Sequence, residues 1–260
     1  MNRQDFEPKL GAPSSPVVVT GGASGIGLAS ARALAAVGRP VALWDINEAG
    51  ATAAAQEIAE AFGVKAIGQA VDLRDPEAIL AAAATTRGAL GPVGGVVHSA
   101  GTAEVTGIDG VTPALWDAGI ALHVRAIVSL VQAFRADMRS LPGSSVVALS
   151  SINATLGSGL IPIYSAAKGA VISLVRSMAD ELSADGIRIN TVSPGQIDTP
   201  IIAAAKAALP GVFERRIFLG RFGEPEEVGR VIRFLLSDEA SYVTSAEIVV
   251  DGGNINSPRQ

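Results

Sequence analysis

The stretch SPVVVTGGASGIGLASARALAAVG, residues 15–38, carries three local signals in one run. The β-branched segment from Ser15 to Thr20 predicts a short strand, and the Ala- and Leu-rich segment after Gly27 predicts a helix. A glycine-rich turn joins the two segments. A strand, such a turn and a helix in this order bind the pyrophosphate of a dinucleotide, because free N–H groups at the helix N-terminus attract anions. The stretch therefore predicts an α/β fold with a dinucleotide site.

The spacing of the glycines differs from the standard fingerprint. Gly21, Gly25 and Gly27 form G-x-x-x-G-x-G, whereas the usual pattern is G-x-G-x-x-G. We expect Gly21 to permit the tight turn, Gly25 to let backbone approach phosphate, and Gly27 to let the helix pack on the strand. A structural turn without a ligand is the alternative interpretation.

The rest of the chain alternates between predicted strands and helices, without a linker or an internal repeat. This order predicts one doubly wound Rossmann-type domain, with a parallel sheet and helices on both faces. We assign residues 1–14 to a flexible leader, 15–253 to the domain and 254–260 to a tail. Residues 196–223 look irregular because they are rich in Pro and Gly, and a long segment of this kind predicts a substrate lid.

Asp45 ends the second predicted strand, eighteen residues after Gly27. A carboxylate at this place in a dinucleotide fold accepts hydrogen bonds from the adenosine ribose and repels a 2′-phosphate. Neither Ala23 nor Ser24 offers a compensating cation, so the sequence favours NAD over NADP. The other interpretation is that Asp45 caps the helix that begins at Glu48, and both interpretations can hold at once.

A second stretch, SSINATLGSGLIPIYSAAK (residues 150–168), predicts the chemistry. Tyr164 and Lys168 are four residues apart on a predicted helix, so their side chains share one face. A nearby cation favours the phenolate and lowers a phenol pKa that is ordinarily about 10. Ser151, on the preceding loop, is placed to hydrogen-bond the oxygen that exchanges this proton. The trio suits the interconversion of an alcohol and a carbonyl compound.

Composition excludes several other classes. The net charge of −5 offers no basic surface for nucleic acid, and the absence of cysteine removes thiol chemistry. No grouping of His, Asp and Glu predicts a metal site. The polar beginning of the chain has no signal-peptide pattern, and we expect no membrane segment, so the cytoplasm is the predicted location. Charged residues make up only 17%, which favours surface buried between subunits.

These motifs together resemble the short-chain dehydrogenase/reductase family. The resemblance runs from about Ser15 to Gly253. It rests on TGGASGIG (20–27), Asp45, Asp72, the Ser-Tyr-Lys spacing, PGQIDT (194–199) and DGG (251–253). It implies a parallel seven-stranded sheet, an NAD(P)(H)-dependent oxidoreductase and a homotetramer packed through the two long helices that precede and contain Tyr164.

The resemblance also implies roles for individual residues. Tyr164 is the general acid/base, Lys168 lowers its pKa and binds the nicotinamide ribose, and Ser151 polarises the substrate carbonyl. Asp72 and Leu73 contact adenine, and Ile197 and Thr199 hold the carboxamide. The whole implied cofactor site is Gly21, Ser24, Gly25, Ile26, Gly27, Asp45, Ile46, Asp72, Leu73, Ala100, Gly101, Tyr164, Lys168, Pro194, Gly195, Ile197 and Thr199.

Both histidines of the chain depart from the family pattern. His98 and His123 stand where the family has asparagines, the second of which helps to hold water in a proton relay. Each histidine is either a polar substitute that satisfies buried backbone or, in the case of His123, a catalytic group that passes protons near neutrality.

We expect a small, moderately apolar alcohol or ketone as substrate, in a pocket lined by Ile152, Leu156, Ile161, Ile197, Ile201, Ile202, Phe213 and Phe218. The sequence places no cation in this pocket, so a free carboxylate or phosphate substrate is not expected. An NADP-dependent 3-oxoacyl reductase and a non-catalytic NAD(H)-sensing protein remain as alternatives.

Overall fold

A computed structural model describes residues 7–258 of the chain. Its sheet has seven parallel strands in the order β3-β2-β1-β4-β5-β6-β7. The strands are β1 (Val17–Thr20), β2 (Val41–Asp45), β3 (Ala66–Ala70), β4 (Gly95–His98), β5 (Ser145–Leu149), β6 (Arg188–Pro194) and β7 (Glu247–Val250). The predicted doubly wound fold and the seven-stranded sheet are confirmed.

Helices connect successive strands. They are α1 (Gly25–Ala35), α2 (Glu48–Phe62), α3 (Pro76–Leu90), α4 (Pro113–Ile120), α5 (Ala126–Ser140), α6 (Asn153–Leu156), α7 (Pro162–Ala184), α8 (Pro200–Ala208) and α9 (Pro225–Leu235). Their starts follow from local chemistry. The Asp75 carboxylate accepts from Glu77 N at the start of α3, and Glu224 and Glu227 form a capping box at the start of α9.

Each face of the sheet carries its own core. Val18 of β1 packs with α3, α5 and α7 through side chains such as Leu130 and Val171. Val17 and Val19 point the other way, toward α1, α2 and α9. Successive strand residues face opposite sides of the sheet, so a run of valines suits a sheet that is covered by helices on both faces.

Helix α1 and helix α9 come from opposite ends of the domain and touch closely. A Cβ added at Gly229 of α9 would lie 2.8 Å from Ala29 O of α1. The buried Arg39, 1% exposed, follows α1 and donates from Nη1 to Leu236 O just beyond α9, at 2.7 Å. The early and late parts of the chain are therefore joined by packing and by a buried cation.

Two segments differ from expectation. The predicted irregular lid contains α8, because Pro200 starts a helix and the following Ala-rich residues favour it. The long helix before β5 is interrupted by a π-helical turn at Ala121–Arg125, centred on His123. A π-helical turn inserts an extra residue into a helix and often marks a functional site.

By length and composition, the stretch Pro113–Ser140 is apolar enough to cross a membrane. Its side chains Ile127, Leu130 and Phe134 pack in the sheet core, and Arg135 forms ion pairs with Glu181 and Asp185 of the α7 region. We therefore assign it as a core helix of the domain.

Both predicted terminal segments contact the domain where they are described. Lys9 N donates to Glu239 Oε1 at 2.8 Å, and Ala12 O accepts from Asp238 N at 2.7 Å. Asn254 is only 8% exposed. Residues 1–6 of the predicted leader and 259–260 of the predicted tail lie outside the described residues, and the division of the chain remains a prediction.

Candidate active site

A cavity of about 1070 Å³ opens where the strands end at their carboxyl termini. This edge is the usual ligand site of a doubly wound sheet. All predicted cofactor residues line it, as do Ser151, Tyr164 and Lys168, whereas His123 does not. Of the predicted apolar pocket, only Phe218 is absent from the wall. The topology thus brings residues from the whole chain to one cavity.

The glycine-rich turn has the geometry that a phosphate cradle needs. Gly21 has φ +66° and Gly25 φ +52°, conformations that favour glycine. A Cβ at Gly27 would lie 2.1 Å from Gly21 O, so any side chain there would push the turn open. Ser24 precedes α1 in an extended conformation without a side-chain cap, which leaves the first N–H groups of α1 free of that partner.

Asp45 is fixed by backbone donors. Its Oδ2 accepts from Ala23 N at 3.1 Å and its Oδ1 from Asn47 N at 3.0 Å. The cap of α2 is Asn47, whose side chain accepts from Gly50 N, so the interpretation of Asp45 as the helix cap is wrong. The carboxylate instead joins the end of β2 to the glycine-rich turn.

Ser151, Tyr164 and Lys168 lie together on the wall. Lys168 Nζ is 5.5 Å from the centroid of the Tyr164 ring and donates to Leu149 O at 2.7 Å. Ser151 Oγ accepts from Asn153 N at 3.1 Å, so its own proton is available to the Tyr164 oxygen, with which it forms a hydrogen bond. The predicted trio is therefore assembled by the end of β5 and the first turns of α7.

Burial governs the pKa values of Tyr164 and Lys168. It raises the pKa of Tyr164 above its usual value, and a hydrogen bond with Ser151 partly opposes this change. Burial also lowers the pKa of Lys168 to about 7. Desolvation is therefore the dominant influence on the phenol in the protein alone, and a lowering of its pKa by Lys168 stays a prediction.

His123 lies behind Tyr164, 1% exposed. Its ring meets the Tyr164 ring edge-on with centroids 5.5 Å apart, and Nε2 donates to Thr102 O at 3.0 Å. The carbonyl can only accept, so Nδ1 carries the lone pair, and it has no partner among the described residues. A Cβ at Gly101 would lie 2.5 Å from His123 Cε1, so the imidazole occupies the space that a side chain at position 101 would need.

The prediction that His123 titrates near neutrality is wrong. Burial, and then the charge of Lys168, lower its pKa to about 2. His98, also 1% exposed, has a pKa lowered to about 3 by the same causes. Thr20 Oγ1 accepts from Ser99 N and Ala100 N and therefore donates to His98 Nδ1, at 3.1 Å. Both imidazoles are neutral groups behind the cavity wall.

The sequence did not predict several wall residues, among them the cations Arg74 and Arg216. Arg216, in a 3₁₀ turn (Glu214–Arg216) after α8, lines the cavity with Asn254 and Ile255 of the predicted tail. The expectation that no cation borders the pocket is therefore wrong. Only the packing of the tail against the lid brings these distant residues together, so no local pattern signals them.

Fold and site together define a dinucleotide-binding α/β protein with a Tyr-Lys-Ser constellation at the strand ends. The family model described as enoyl-(acyl carrier protein) reductase matches residues 21–254. The chain belongs to the short-chain dehydrogenase/reductase family of oxidoreductases, which bind a nicotinamide cofactor.

Three similar proteins illustrate the range of the family. Acetoacetyl-CoA reductase of Synechocystis is 36% identical over 94% of this chain and 98% of its own length. Cis-4-hydroxycyclohexanecarboxylate dehydrogenase of Sinomonas cyclohexanicum is 36% identical over 91% of this chain and 94% of its own. L-sorbose reductase of Gluconobacter frateurii, solved with NADPH and L-sorbose, superimposes with a TM-score of 0.89 at 30% identity, covering 94% of this chain and 97% of its own.

Proposed function

We propose that this protein is an NAD(H)-dependent oxidoreductase that interconverts a secondary alcohol and a ketone. One observation carries the proposal: the Ser151, Tyr164 and Lys168 side chains and the glycine-rich turn border the same cavity. A dinucleotide held by its pyrophosphate at the turn would share this cavity with the trio.

The residues of the turn fit a dinucleotide. The Cβ positions of Gly21 and Gly27 are blocked by backbone, α1 begins without a side-chain cap, and its first turn has no acidic residue. A diphosphate needs such a place, since backbone N–H groups and the helix dipole both favour an anion. Asp45, Asp72 and Thr199 would hold the adenosine and nicotinamide ends. When bound, the nicotinamide ring donates or accepts the hydride.

The chain itself handles the proton. In oxidation, the substrate hydroxyl gives its proton to Tyr164 Oη, and in reduction Tyr164 Oη returns it. Ser151 Oγ donates a hydrogen bond to the substrate oxygen. The Lys168 ammonium would stabilise the phenolate by its positive charge. His123 supports the phenol ring from behind.

The test follows nicotinamide absorbance with a panel of secondary alcohols and ketones. We expect turnover by the wild type and a loss of about 10³-fold or more in kcat for Tyr164→Phe, with dinucleotide affinity retained. Tyr242→Phe is the matched control, because Tyr242 is the only other tyrosine and is fully exposed. Dinucleotide binding without turnover of any member of the panel would favour a non-catalytic NAD(H)-sensing protein.

The proposed preference for NAD rests on Asp45, whose carboxylate would repel a 2′-phosphate on the adenosine ribose. An NADP-dependent 3-oxoacyl reductase is the second candidate, because one relative is named acetoacetyl-CoA reductase and L-sorbose reductase was solved with NADPH. We expect kcat/KM to be at least about 10-fold higher with NAD than with NADP, and Asp45→Ser to remove most of this preference. A wild type that favours NADP would contradict the assignment.

A further inference from the structure

Among residues 7–258, Arg216 is the only cation lining the cavity whose side chain has no protein partner. Arg74 forms an ion pair with Asp72 at 2.7 Å, and Lys168 Nζ donates to Leu149 O. Within that described range the Arg216 guanidinium forms no ion pair or side-chain hydrogen bond, and the residue is exposed. A cation on a cavity wall without a partner is available to a ligand.

The main chain at Arg216 is held in place. Asn254 Nδ2 donates to Arg216 O at 3.2 Å, and Asn254 is nearly buried. The next residue, Ile217, is 1% exposed, and the Cβ position of Gly252 lies 2.8 Å from its Cγ2. The backbone that carries the guanidinium is therefore anchored to the carboxyl-terminal segment, whereas α8 before it has no buried residue.

The cavity that Arg216 borders is largely apolar in its lid region. Leu156, Ile161, Ile202 and Phe213 line it together with Arg216. Three acids also border the cavity. Asp45 is the last residue of β2, Asp72 follows β3, and Glu104 follows β4 and has no ion pair among the described residues. One unpaired cation in a largely apolar cavity suits a ligand that has an apolar body and one anionic end.

We propose that Arg216 binds a carboxylate of the substrate, so that this protein acts on secondary alcohols or ketones that carry a carboxylate. Guanidinium binds carboxylate through two parallel hydrogen bonds, which fixes orientation as well as affinity. The inference rests on the proposed function and adds the substrate class to it. Membership of the family alone does not decide whether the substrate carries a carboxylate. One relative is named for a carboxylate substrate, and a similar solved structure holds L-sorbose.

The kinetic test uses matched acids and amides. 4-Hydroxycyclohexanecarboxylate is compared with its carboxamide, and 3-hydroxybutyrate with 3-hydroxybutyramide. We expect Arg216→Gln to lower kcat/KM for the acids by about 10- to 100-fold and for the amides by no more than about 3-fold. Arg215→Gln is the control, because Arg215 is an exposed neighbour that does not line the cavity.

A binding test separates this inference from the proposed function. Calorimetry measures the affinity of cyclohexanecarboxylate and cyclohexanecarboxamide for the protein saturated with dinucleotide. We expect the wild type to prefer the acid, Arg216→Gln to lose this preference and Arg215→Gln to keep it. If no alcohol is oxidised but the acid still binds through Arg216, the proposed function fails and the anion site stands.

Three results would overturn the inference. The first is a wild type that binds and turns over amides as well as acids. The second is an equal loss of kcat/KM for acids and amides in Arg216→Gln, which would indicate a structural role. Unfolding curves of Arg216→Gln and Arg215→Gln check that both variants fold. The third is a wild type that prefers alcohols with an ammonium group and whose kcat/KM changes in Glu104→Gln but not in Arg216→Gln. This result would assign specificity to Glu104.

Discussion

At the residue scale, His123 shows how burial decides a role. A solvent-exposed imidazole titrates near neutrality, but His123 is enclosed behind Tyr164 and close to Lys168, both of which disfavour a positive charge. Its neutral ring offers packing against the phenol and a hydrogen bond to Thr102 O. The geometry favours positioning of Tyr164 over carriage of the proton.

We therefore predict the effect of His123→Asn on the pH dependence of the reaction. The kcat should fall several-fold, because the ring that meets Tyr164 edge-on is lost, while the midpoint of the pH–rate profile should move by less than about 0.3 units. The measurement is kcat between pH 5 and 10 for both proteins. A displaced midpoint would show that His123 itself carries the proton.

Residue-scale patterns predicted most of the site. Asp45, Asp72 and the glycines lie at or just after the ends of strands that meet at one edge, so the sequence order alone brings them together. Tyr164 and Lys168 share a helix face. The pKa values were beyond prediction, because desolvation depends on the three-dimensional surroundings. Arg216 was also missed, since its place on the wall depends on contact between the lid and the tail.

At the element scale, the turn between β1 and α1 is the most constrained part of the cavity wall. Gly27 has no room for a Cβ because Gly21 O lies 2.1 Å from its position. A local pattern of glycines was enough to predict this turn. The helix α8 was not predicted, because Pro and Gly in the surrounding segment obscured an Ala-rich run with good helix propensity.

Gly27→Ala should weaken dinucleotide binding by about 10-fold or more, because the added methyl group displaces the turn that receives the pyrophosphate. Gly88→Ala is the matched control. Gly88 lies in α3 with no atom near its Cβ position, so alanine should stabilise the protein by up to about 1 kcal/mol. Fluorescence titration with NADH measures the first effect and urea unfolding the second. Unchanged NADH affinity in Gly27→Ala would place the cofactor elsewhere.

At the scale of the whole molecule, the two buried histidines should make stability depend on pH. Their folded pKa values of about 3 and about 2 lie below the usual 6.5, so the unfolded chain binds more protons below that pH. The free energy of unfolding should therefore fall as pH falls through 6.5, by on the order of 4 kcal/mol between pH 7.5 and 5 for both residues together.

Urea unfolding at fixed protein concentration and at pH 7.5, 6 and 5 measures this dependence. The double variant His98→Asn, His123→Asn should lose most of the slope, since asparagine does not titrate. The ion-paired carboxylates with lowered pKa values, such as Asp185, lose their contribution only at more acidic pH. Equal slopes for both proteins would mean that the imidazoles are protonated in the folded state.

The assembly remains a prediction that follows from the family resemblance. We expect light scattering to give four times the 26.3 kDa mass of one chain. The low fraction of charged residues supports surface buried between subunits. A mass of 26 kDa at micromolar concentration would contradict a tetramer.

The contact between α1 and α9 bears on how the chain acquires its structure during synthesis. The inner side of α1 is made early, but the helix that covers it ends at Leu235. Until that segment leaves the ribosome, the apolar side of α1 is not covered by α9. The guanidinium of Arg39 also lacks its hydrogen-bond acceptor, the carbonyl of Leu236. We therefore expect the domain to fold cooperatively, late in synthesis. Fragments that end before residue 225 should bind chaperones and aggregate, because they lack α9.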